Sequence, residues 1–163
     1  MAQMMGFNEP PLQKKYGNQP TWGTFDGKSI KFRSKAEYNW ALYCQFRKEL
    51  DPKEDAYIRD WGYELQRIEF DDDARAPRSY LPDFWITGPS GRVHIEEVKG
   101  FLDGPTRSKC RKWNKERPEP IHLILVSFTK QNANGRRLVN KYCERVIDMR
   151  VCLKNLKGML PFI

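Results

Sequence analysis

Three ionisable side chains stand at spacings that could do chemistry within two apolar segments of the chain. Asp83 follows Pro82 in YLPDFWI, and Glu97 and Lys99 belong to an E-V-K triplet in RVHIEEVK. Residues two apart in a β-strand point to the same face, so Glu97 and Lys99 would share a face. If the two segments form a hairpin, Asp83 lies beside Glu97. Two adjacent carboxylates repel each other unless a cation lies between them.

Carboxylate oxygens without sulfur or nitrogen partners are the ligands that Mg²⁺ and Mn²⁺ prefer. A nearby lysine can orient a metal-activated water or stabilise the charge on a phosphate, and such a set suits phosphodiester hydrolysis. The alternative is that Asp83 is a strand-end carboxylate and that Glu97 and Lys99 form an exposed charge pair. The apolar, aromatic surroundings favour chemistry, because unpaired charge is costly there. Gly100 would also let a phosphate backbone approach closely.

The elements that must position these residues can be predicted from turn residues, caps and hydrophobic periodicity. Ser34 and Glu37 have capping-box spacing, which starts a helix, and Asp51-Pro52 stops it. Its predicted core stripe is Ala36, Trp40, Tyr43 and Cys44. The full prediction is a hairpin over 24–30, a helix over 35–50, a helical turn over 53–59, strands over 61–70, 80–86 and 92–99, a basic helix over 106–116, a buried strand over 121–128, and a last helix over 136–148.

This order predicts an α/β fold in which antiparallel strands come first and a crossover helix leads to a buried, parallel strand. With 163 residues the chain fits one domain. We expect a flexible N-terminal arm over 1–22, the domain over 23–148, and a tail over 149–163 that packs on the domain or on a partner.

The charge balance points to a polyanionic partner. The chain has 29 Lys+Arg against 21 Asp+Glu, a net charge of +8, and nucleic acid is the leading candidate. No segment has the length of a membrane helix or the apolar core of a signal peptide, so we expect a cytoplasmic protein. The four cysteines lack zinc-knuckle spacing, and His94 and His122 lie far apart in apolar runs. Reduced thiols are therefore favoured over a structural zinc site.

The motifs together resemble the PD-(D/E)XK nuclease superfamily. That superfamily carries an acidic residue in the first helix, Pro-Asp in the second strand and (Asp/Glu)-x-Lys in the third. The matching positions are Glu37, Pro82-Asp83 and Glu97-Val98-Lys99. Over residues 24–130 the chain resembles bacteriophage endonuclease I-like Holliday-junction resolvases, which have F-R-S-x-x-E, Y-x-P-D-F and V-E-x-K-G patterns where this chain has FRSKAE, YLPDF and EEVKG. A family of uncharacterised phage proteins with an L-Q strand and E-x-V-K-G looks similar too, and its Gln corresponds to Gln66.

The resemblance implies a restriction-endonuclease-like core, built from a helix, a three-stranded antiparallel meander, a helix and a buried strand, here with an extra C-terminal helix. It implies a Mg²⁺- or Mn²⁺-dependent endodeoxyribonuclease with one or two ions, acting on branched or structured DNA. Asp83, Glu97 and the Val98 carbonyl would be metal ligands, and Lys99 would assist the attacking water. Glu37 would bind a second ion or its water, unless it serves only the capping box. Gln66 and Ser34 would be accessory residues.

The choice between Glu96 and Glu97 depends on which strand face each one occupies, and the role of the basic helix depends on which face its cations occupy. Glu96 is a rival of Glu97, but sharing a face with Lys99 favours Glu97. The basic helix offers phosphate contacts that position DNA without reading its sequence, unless it is only a solvated cationic face. The acidic run over 71–73 has no apolar support and is interpreted as solvated. The predicted DNA-binding residues are Arg107, Lys109, Arg111, Lys112, Lys14 and Lys15.

Other functions remain open at this point. One is a non-catalytic nucleic-acid-binding module on a nuclease fold, and another is a sequence-directed nickase or restriction-type endonuclease. A third is an interaction or virion-structural protein that is basic for solubility, which would show no salt-dependent DNA affinity. Resemblance to a resolvase also implies a homodimer, because two symmetric incisions need two active sites. If the gene is phage-borne, the protein would act in the host cytoplasm.

Overall fold

A two-stranded hairpin opens the part of the chain that the computed structural model describes, residues 19–71 and 76–156. Strands β1 (Thr21–Phe25) and β2 (Lys28–Phe32) pair antiparallel. Asp26 and Gly27 both have positive φ, 47° and 75°, as the two-residue turn with the twist of a hairpin requires. The predicted hairpin is confirmed, and it begins inside the predicted N-terminal arm, of which residues 1–18 lie outside the described residues.

Helix α1 (Lys35–Glu49) follows as the capping box predicts. The Ser34 hydroxyl accepts a hydrogen bond from the backbone N–H of Glu37. The predicted helical turn over 53–59 is wrong: this segment forms successive turns. Its first turn is held by the Asp51 carboxylate, which accepts from the backbone N–H of Lys53 at 2.9 Å. Such a side-chain bond competes with helix formation.

Both long strands predicted before residue 90 are broken in two. The first is interrupted at Glu64, which has a left-handed φ of 47°. The second is interrupted at Pro82, which has no N–H to donate to a strand ladder. Asp83 therefore stands directly before a strand rather than inside one. The four resulting strands are β3 (Asp60–Tyr63), β4 (Ile68–Glu69), β5 (Ser79–Tyr80) and β6 (Phe84–Thr87), of which β4 and β5 pair with each other.

The central sheet has five strands in the order β3-β6-β7-β8-β9. It is completed by β7 (Val93–Lys99), β8 (Ile121–Leu125) and β9 (Arg145–Asp148). Strands β3, β6 and β7 are antiparallel neighbours, whereas β7, β8 and β9 run parallel. Helix α2 (Gly104–Glu116) is the crossover between β7 and β8. The described chain is thus a single-domain mixed α/β fold, and the predicted change from antiparallel to parallel pairing is confirmed.

The predicted helix over 136–148 is wrong beyond residue 139. The chain instead forms α3 (Lys130–Val139) and then β9. The apolar residues of this segment fit helical spacing, but Val146 and Ile147 pair with Leu123 and Ile124 of the buried strand β8. Long-range pairing to an already apolar strand outweighs the local pattern.

A short C-terminal segment returns to the domain. Helix α4 (Met149–Leu153) and a 3₁₀ turn (Lys154–Leu156) place Met149, Leu153 and Leu156 in the core against α1. Residues 149–156 of the predicted tail thus pack on the domain, and 157–163 lie outside the described residues.

Helices cover both faces of the sheet, and the sheet divides the core into two halves. On one face α1 packs Trp40 and Cys44 against β6, β7 and β8. On the other face α2 packs Trp113 and Cys110. Because side chains alternate along β7, Val98 belongs to the first half and Ile95 to the second. Within the described ranges, none of the helices combines the length and the apolar character needed to cross a bilayer.

Candidate active site

The β6–β7 hairpin brings Asp83 and Glu97 together. Phe84 pairs with Glu96, so the residues just before and after them, Asp83 and Glu97, also lie opposite each other. The backbone N–H of Asp83 donates to Glu97 Oε2 at 3.3 Å, and the backbone N–H of Val98 donates to Asp83 Oδ2 at 2.9 Å. Both carboxylates are buried. The adjacency predicted from sequence is present in the fold.

Two further side chains hold the Glu97 carboxylate. The Tyr80 hydroxyl donates to Oε2 at 2.6 Å, and Lys99 Nζ lies 2.7 Å from Oε1. Lys99 and Glu97 therefore share a face, as the E-V-K spacing predicts. Sequence reasoning missed Tyr80, although it begins the same YLPDF segment that supplies Asp83. Its phenol fixes the orientation of the glutamate from the buried side.

An arginine joins the acidic residue of α1 to this pair. The Arg33 guanidinium contacts Asp83 Oδ1 and lies 2.9 Å from Glu64 Oε1 and 3.8 Å from Glu37 Oε2. Glu37 is buried and accepts hydrogen bonds from the backbone N–H of Arg33 at 3.0 Å and from the Tyr63 hydroxyl at 2.5 Å. Glu37 therefore belongs to a network that reaches Asp83. Neither Arg33 nor Tyr63 was predicted.

The surroundings of Asp83 favour its neutral form. Burial, and then the neighbouring Glu97 carboxylate, raise the pKa of Asp83 well above its usual range despite Lys99 and Arg33. Burial opposes the charged form of Lys99, but Glu97 and Asp83 outweigh it and raise its pKa. Burial and Glu97 also raise the pKa of Tyr80, which keeps its hydroxyl protonated as a donor. Two buried carboxylates in this state are stabilised by any added cation.

The donor set fits a hard divalent ion. Asp83 and Glu97 offer oxygen atoms only, as Mg²⁺ and Mn²⁺ prefer. The Arg33 side chain that contacts Asp83 is 53% exposed, so it can swing into solvent when a metal ion replaces it. The Val98 carbonyl as a third ligand stays a prediction, since the contact shown for Val98 is its N–H bond to Asp83.

Glu96, the rival of Glu97, lies on the opposite face of β7. Its carboxylate accepts from Trp40 Nε1 at 2.7 Å and forms an ion pair with Arg47 Nη1 at 3.0 Å. Burial opposes ionisation of Glu96, but Arg47 and His94 outweigh it and lower the pKa to about 2. The two glutamates thus lie on opposite faces of β7, Glu96 in the α1 core and Glu97 beside Asp83.

The accessory residues are placed differently. Ser34 caps α1 through the N–H of Glu37, which fixes the helix turn that carries that carboxylate. Gln66 is exposed between β3 and β4, and its accessory role stays a prediction.

The basic helix divides into exposed and buried cations. Arg107 and Arg111 are exposed on α2, and Lys109 is half-buried with Nζ 5.4 Å from the Tyr80 ring centroid. Lys112 was wrongly placed among the surface contacts: it is buried, and its amino group donates to the Pro77 carbonyl at 2.9 Å. Lys112 lies beside the buried Trp113 on the inward side of the helix. Lys14 and Lys15 lie outside the described residues.

A second cluster of ligand-type side chains was also missed. One ligand atom each of His94, Glu96 and His122 lie within 4.8 Å of one another. The signal available in the sequence was the H-x-E spacing, which puts His94 and Glu96 on one strand face. Strand pairing then adds His122 from 28 residues away, which no local pattern predicts.

No family model, curated protein or solved structure is significantly similar to this chain. A fold by itself does not define an activity. The function is therefore argued from the carboxylate pair and its neighbours.

Proposed function

We propose that this protein is a metal-dependent DNA endonuclease of the PD-(D/E)XK type. The observation that carries the proposal is the buried pair of Asp83 and Glu97 with Lys99 Nζ 2.7 Å from Glu97. Two adjacent buried carboxylates are costly unless positive charge lies beside them, and a divalent ion would add to the charge that Lys99 and Arg33 supply.

The side chains present can divide the work of phosphodiester hydrolysis. When bound, a divalent ion supplies Lewis-acid activation of water and of the scissile phosphate. Asp83 and Glu97 would hold it, with the Val98 N–H and the Tyr80 hydroxyl fixing the two carboxylates from behind. Lys99, a cation at the exposed edge of the pair, would orient the attacking water or neutralise charge developing on the phosphate.

Glu37 would act at the side of the site that Arg33 now spans. Its carboxylate lies 3.8 Å from the Arg33 guanidinium, which in turn contacts Asp83. Movement of Arg33 would expose Glu37 and Asp83 to the same space, where a second ion or its water would bind.

The topology supports a restriction-endonuclease-like core. An antiparallel set β3-β6-β7 continues into parallel β8, with α1 on one face and α2 on the other. This order of strands and helices supports the core that the sequence resemblance implies. Strand β9 and helices α3 and α4 extend it.

For the substrate we propose branched or structured DNA, with a homodimer delivering paired incisions. The net charge of +8 and the exposed Arg107 and Arg111 on α2 support a phosphate-bearing partner. The junction preference rests on the resemblance to endonuclease I-like resolvases. A sequence-directed nickase would use the same carboxylates.

One observation favours a second candidate, a nuclease fold that only binds DNA. Arg33 contacts Asp83 directly and so partly neutralises the charge that a metal ion would otherwise balance. In that case DNA would bind equally well with and without divalent ions, and no strand would be cut.

The test is cleavage of a four-way junction, a linear duplex and a single strand, each with Mg²⁺ and with EDTA, by wild type and by Asp83→Asn. We expect Mg²⁺-dependent cleavage by wild type, fastest on the junction, and none by the variant. No cleavage of any substrate would reject the enzyme in favour of the binding module. Equal rates on all three substrates would reject only the junction preference.

A further inference from the structure

The face of β7 opposite the carboxylate pair carries a cluster of three side chains of metal-ligand type. His94 and Glu96 lie two apart on β7, and His122 pairs directly with Glu96 across the parallel β7–β8 ladder. Their ligand atoms lie within 4.8 Å of one another, and across residues 19–71 and 76–156 this is the one group of three that does so. Two imidazoles and a carboxylate are brought together by strand register alone.

The spacing is close to that of a metal centre. His94 Nε2 lies 3.0 Å from Glu96 Oε1, and the two imidazole ring centroids are 4.3 Å apart. In a tetrahedral zinc site with bonds of about 2.0–2.1 Å, ligand atoms stand about 3.3 Å apart. Pairs already within 4.8 Å need to move by at most about 1.5 Å to close on an ion.

Neighbouring groups already orient the ligands. His122 Nε2 lies 2.8 Å from Glu144 Oε2, and if it donates there, Nδ1 keeps the lone pair for an ion. Trp40 Nε1 and Arg47 Nη1 hold the Glu96 carboxylate at 2.7 and 3.0 Å. Such a carboxylate–histidine pair, together with a hydrogen-bonded ligand carboxylate, is the usual outer layer of a metal site.

The cluster is also reachable from solvent. His94, Glu96 and His122 line an open cavity of about 490 Å³, and Glu144 and Arg145 lie on its wall. An ion can enter through this cavity, and a fourth ligand position can be filled from it by water. Three protein ligands of nitrogen and oxygen type with one open position are typical of zinc.

We propose that His94, Glu96 and His122 bind one Zn²⁺, with Glu144 orienting His122. The ion would link β7 to β8 on the α1 side, behind the strand whose other face carries Glu97. This proposal uses none of the residues proposed for DNA cleavage, so either one can fail without the other.

The experiment titrates the full chain with Zn²⁺ after chelator treatment, and with Co²⁺ as a spectroscopic probe. The parent carries Asp83→Asn, so that the carboxylate pair does not compete for metal. We expect one equivalent of Zn²⁺ and the visible absorption of tetrahedral Co²⁺. Both should be lost when His94→Gln or His122→Gln is added, with far-UV circular dichroism confirming that the chain is folded.

A second variant tests the proposal without removing a ligand, in case the ligand variants do not fold. Glu144→Gln leaves the three ligands in place and should weaken Zn²⁺ affinity by about 10- to 100-fold, the usual cost of an outer-layer change. The proposal is overturned if the parent binds no Zn²⁺, or if folded His94→Gln and His122→Gln chains bind as much as the parent. Unchanged affinity in Glu144→Gln would overturn the role given to that residue.

Discussion

The backbone N–H of Val98 donates a 2.9 Å hydrogen bond to Asp83 Oδ2. The residue between Glu97 and Lys99 thus fixes the acid that comes 15 positions earlier. The bond needs only an oxygen acceptor on residue 83, which an asparagine also offers. Asp83→Asn therefore removes the charge and keeps the acceptor for Val98, while its amide NH2 group replaces the oxygen that Arg33 contacts.

The charge on Asp83 should make the metal-free protein less stable as pH rises. Its folded pKa is raised by burial and by Glu97, with Glu37, Lys99 and Arg33 also facing it. A raised pKa means stability that is present below the unfolded value of about 3.9 and lost as pH rises through the folded value. In EDTA, the free energy of unfolding of wild type should fall relative to Asp83→Asn as pH rises from about 4, by at most about 1.4 kcal/mol per pH unit.

Denaturant unfolding of both chains at several pH values measures this difference. Saturating Mg²⁺ should abolish the trend in wild type, because the ion replaces the missing positive charge. A difference that stays constant with pH in EDTA would show that Asp83 titrates normally.

Lys99 should matter for the rate more than for DNA binding. Its ammonium is held against Glu97 Oε1 at 2.7 Å, and Lys99→Met keeps a stem of similar length without the charge. We expect the single-turnover cleavage rate at saturating DNA to fall by about 10²- to 10⁴-fold. DNA affinity, measured by anisotropy with Ca²⁺ in place of Mg²⁺, should change much less. A loss confined to affinity would place Lys99 in binding instead.

Substitution of Glu96 should lower the stability of the protein, whereas substitution of Glu97 should lower its cleavage activity. Glu96→Gln leaves Arg47, whose side chain is 12% exposed, without its carboxylate partner, and breaking a buried pair costs up to about 3–5 kcal/mol. Unfolding in EDTA should show this loss, while the folded variant cuts DNA at close to the wild-type rate. Glu97→Gln is the matched neighbour and should lose cleavage instead. The reverse assignment of effects would mean that the strand faces are wrongly interpreted.

The cations of α2 should contribute to DNA binding only where their side chains are exposed. Arg107 and Arg111 are exposed, so Arg107→Ala and Arg111→Ala should each weaken DNA binding and reduce the slope of log affinity against log salt by about 1. Lys112→Met should leave that slope unchanged and lower the unfolding midpoint, since Lys112 holds the Pro77 carbonyl. An equal salt effect from all three would mean that burial does not restrain Lys112.

The carboxylate pair could be predicted from the sequence because its geometry depends on one hairpin and on nearby residues. Hairpin register and the alternation of strand faces suffice to put Asp83 beside Glu97 and to turn Glu96 away. The network around the pair depends on distant contacts: Arg33 comes from before α1, and Tyr63 from β3. Hydrophobic periodicity in the sequence does not predict such contacts.

The structure of the C-terminal region also could not be predicted from local sequence patterns. Val146 and Ile147 have helical spacing with earlier apolar residues, yet they pair with β8 and extend the sheet. The His94–Glu96–His122 cluster likewise exists only once β7 and β8 are in register. Each of these features is decided by tertiary pairing, which outweighs local preference.

The most direct test of the account is the Mg²⁺-dependent cleavage rate of Glu97→Gln, measured in single turnover beside wild type. The control is Asp71→Asn, an acid exposed on the surface. We predict that Glu97→Gln loses at least about 100-fold, more than an outer-layer change to a metal site costs, and that Asp71→Asn cuts like wild type. Cleavage by Glu97→Gln at the rate of the control would contradict the proposed site.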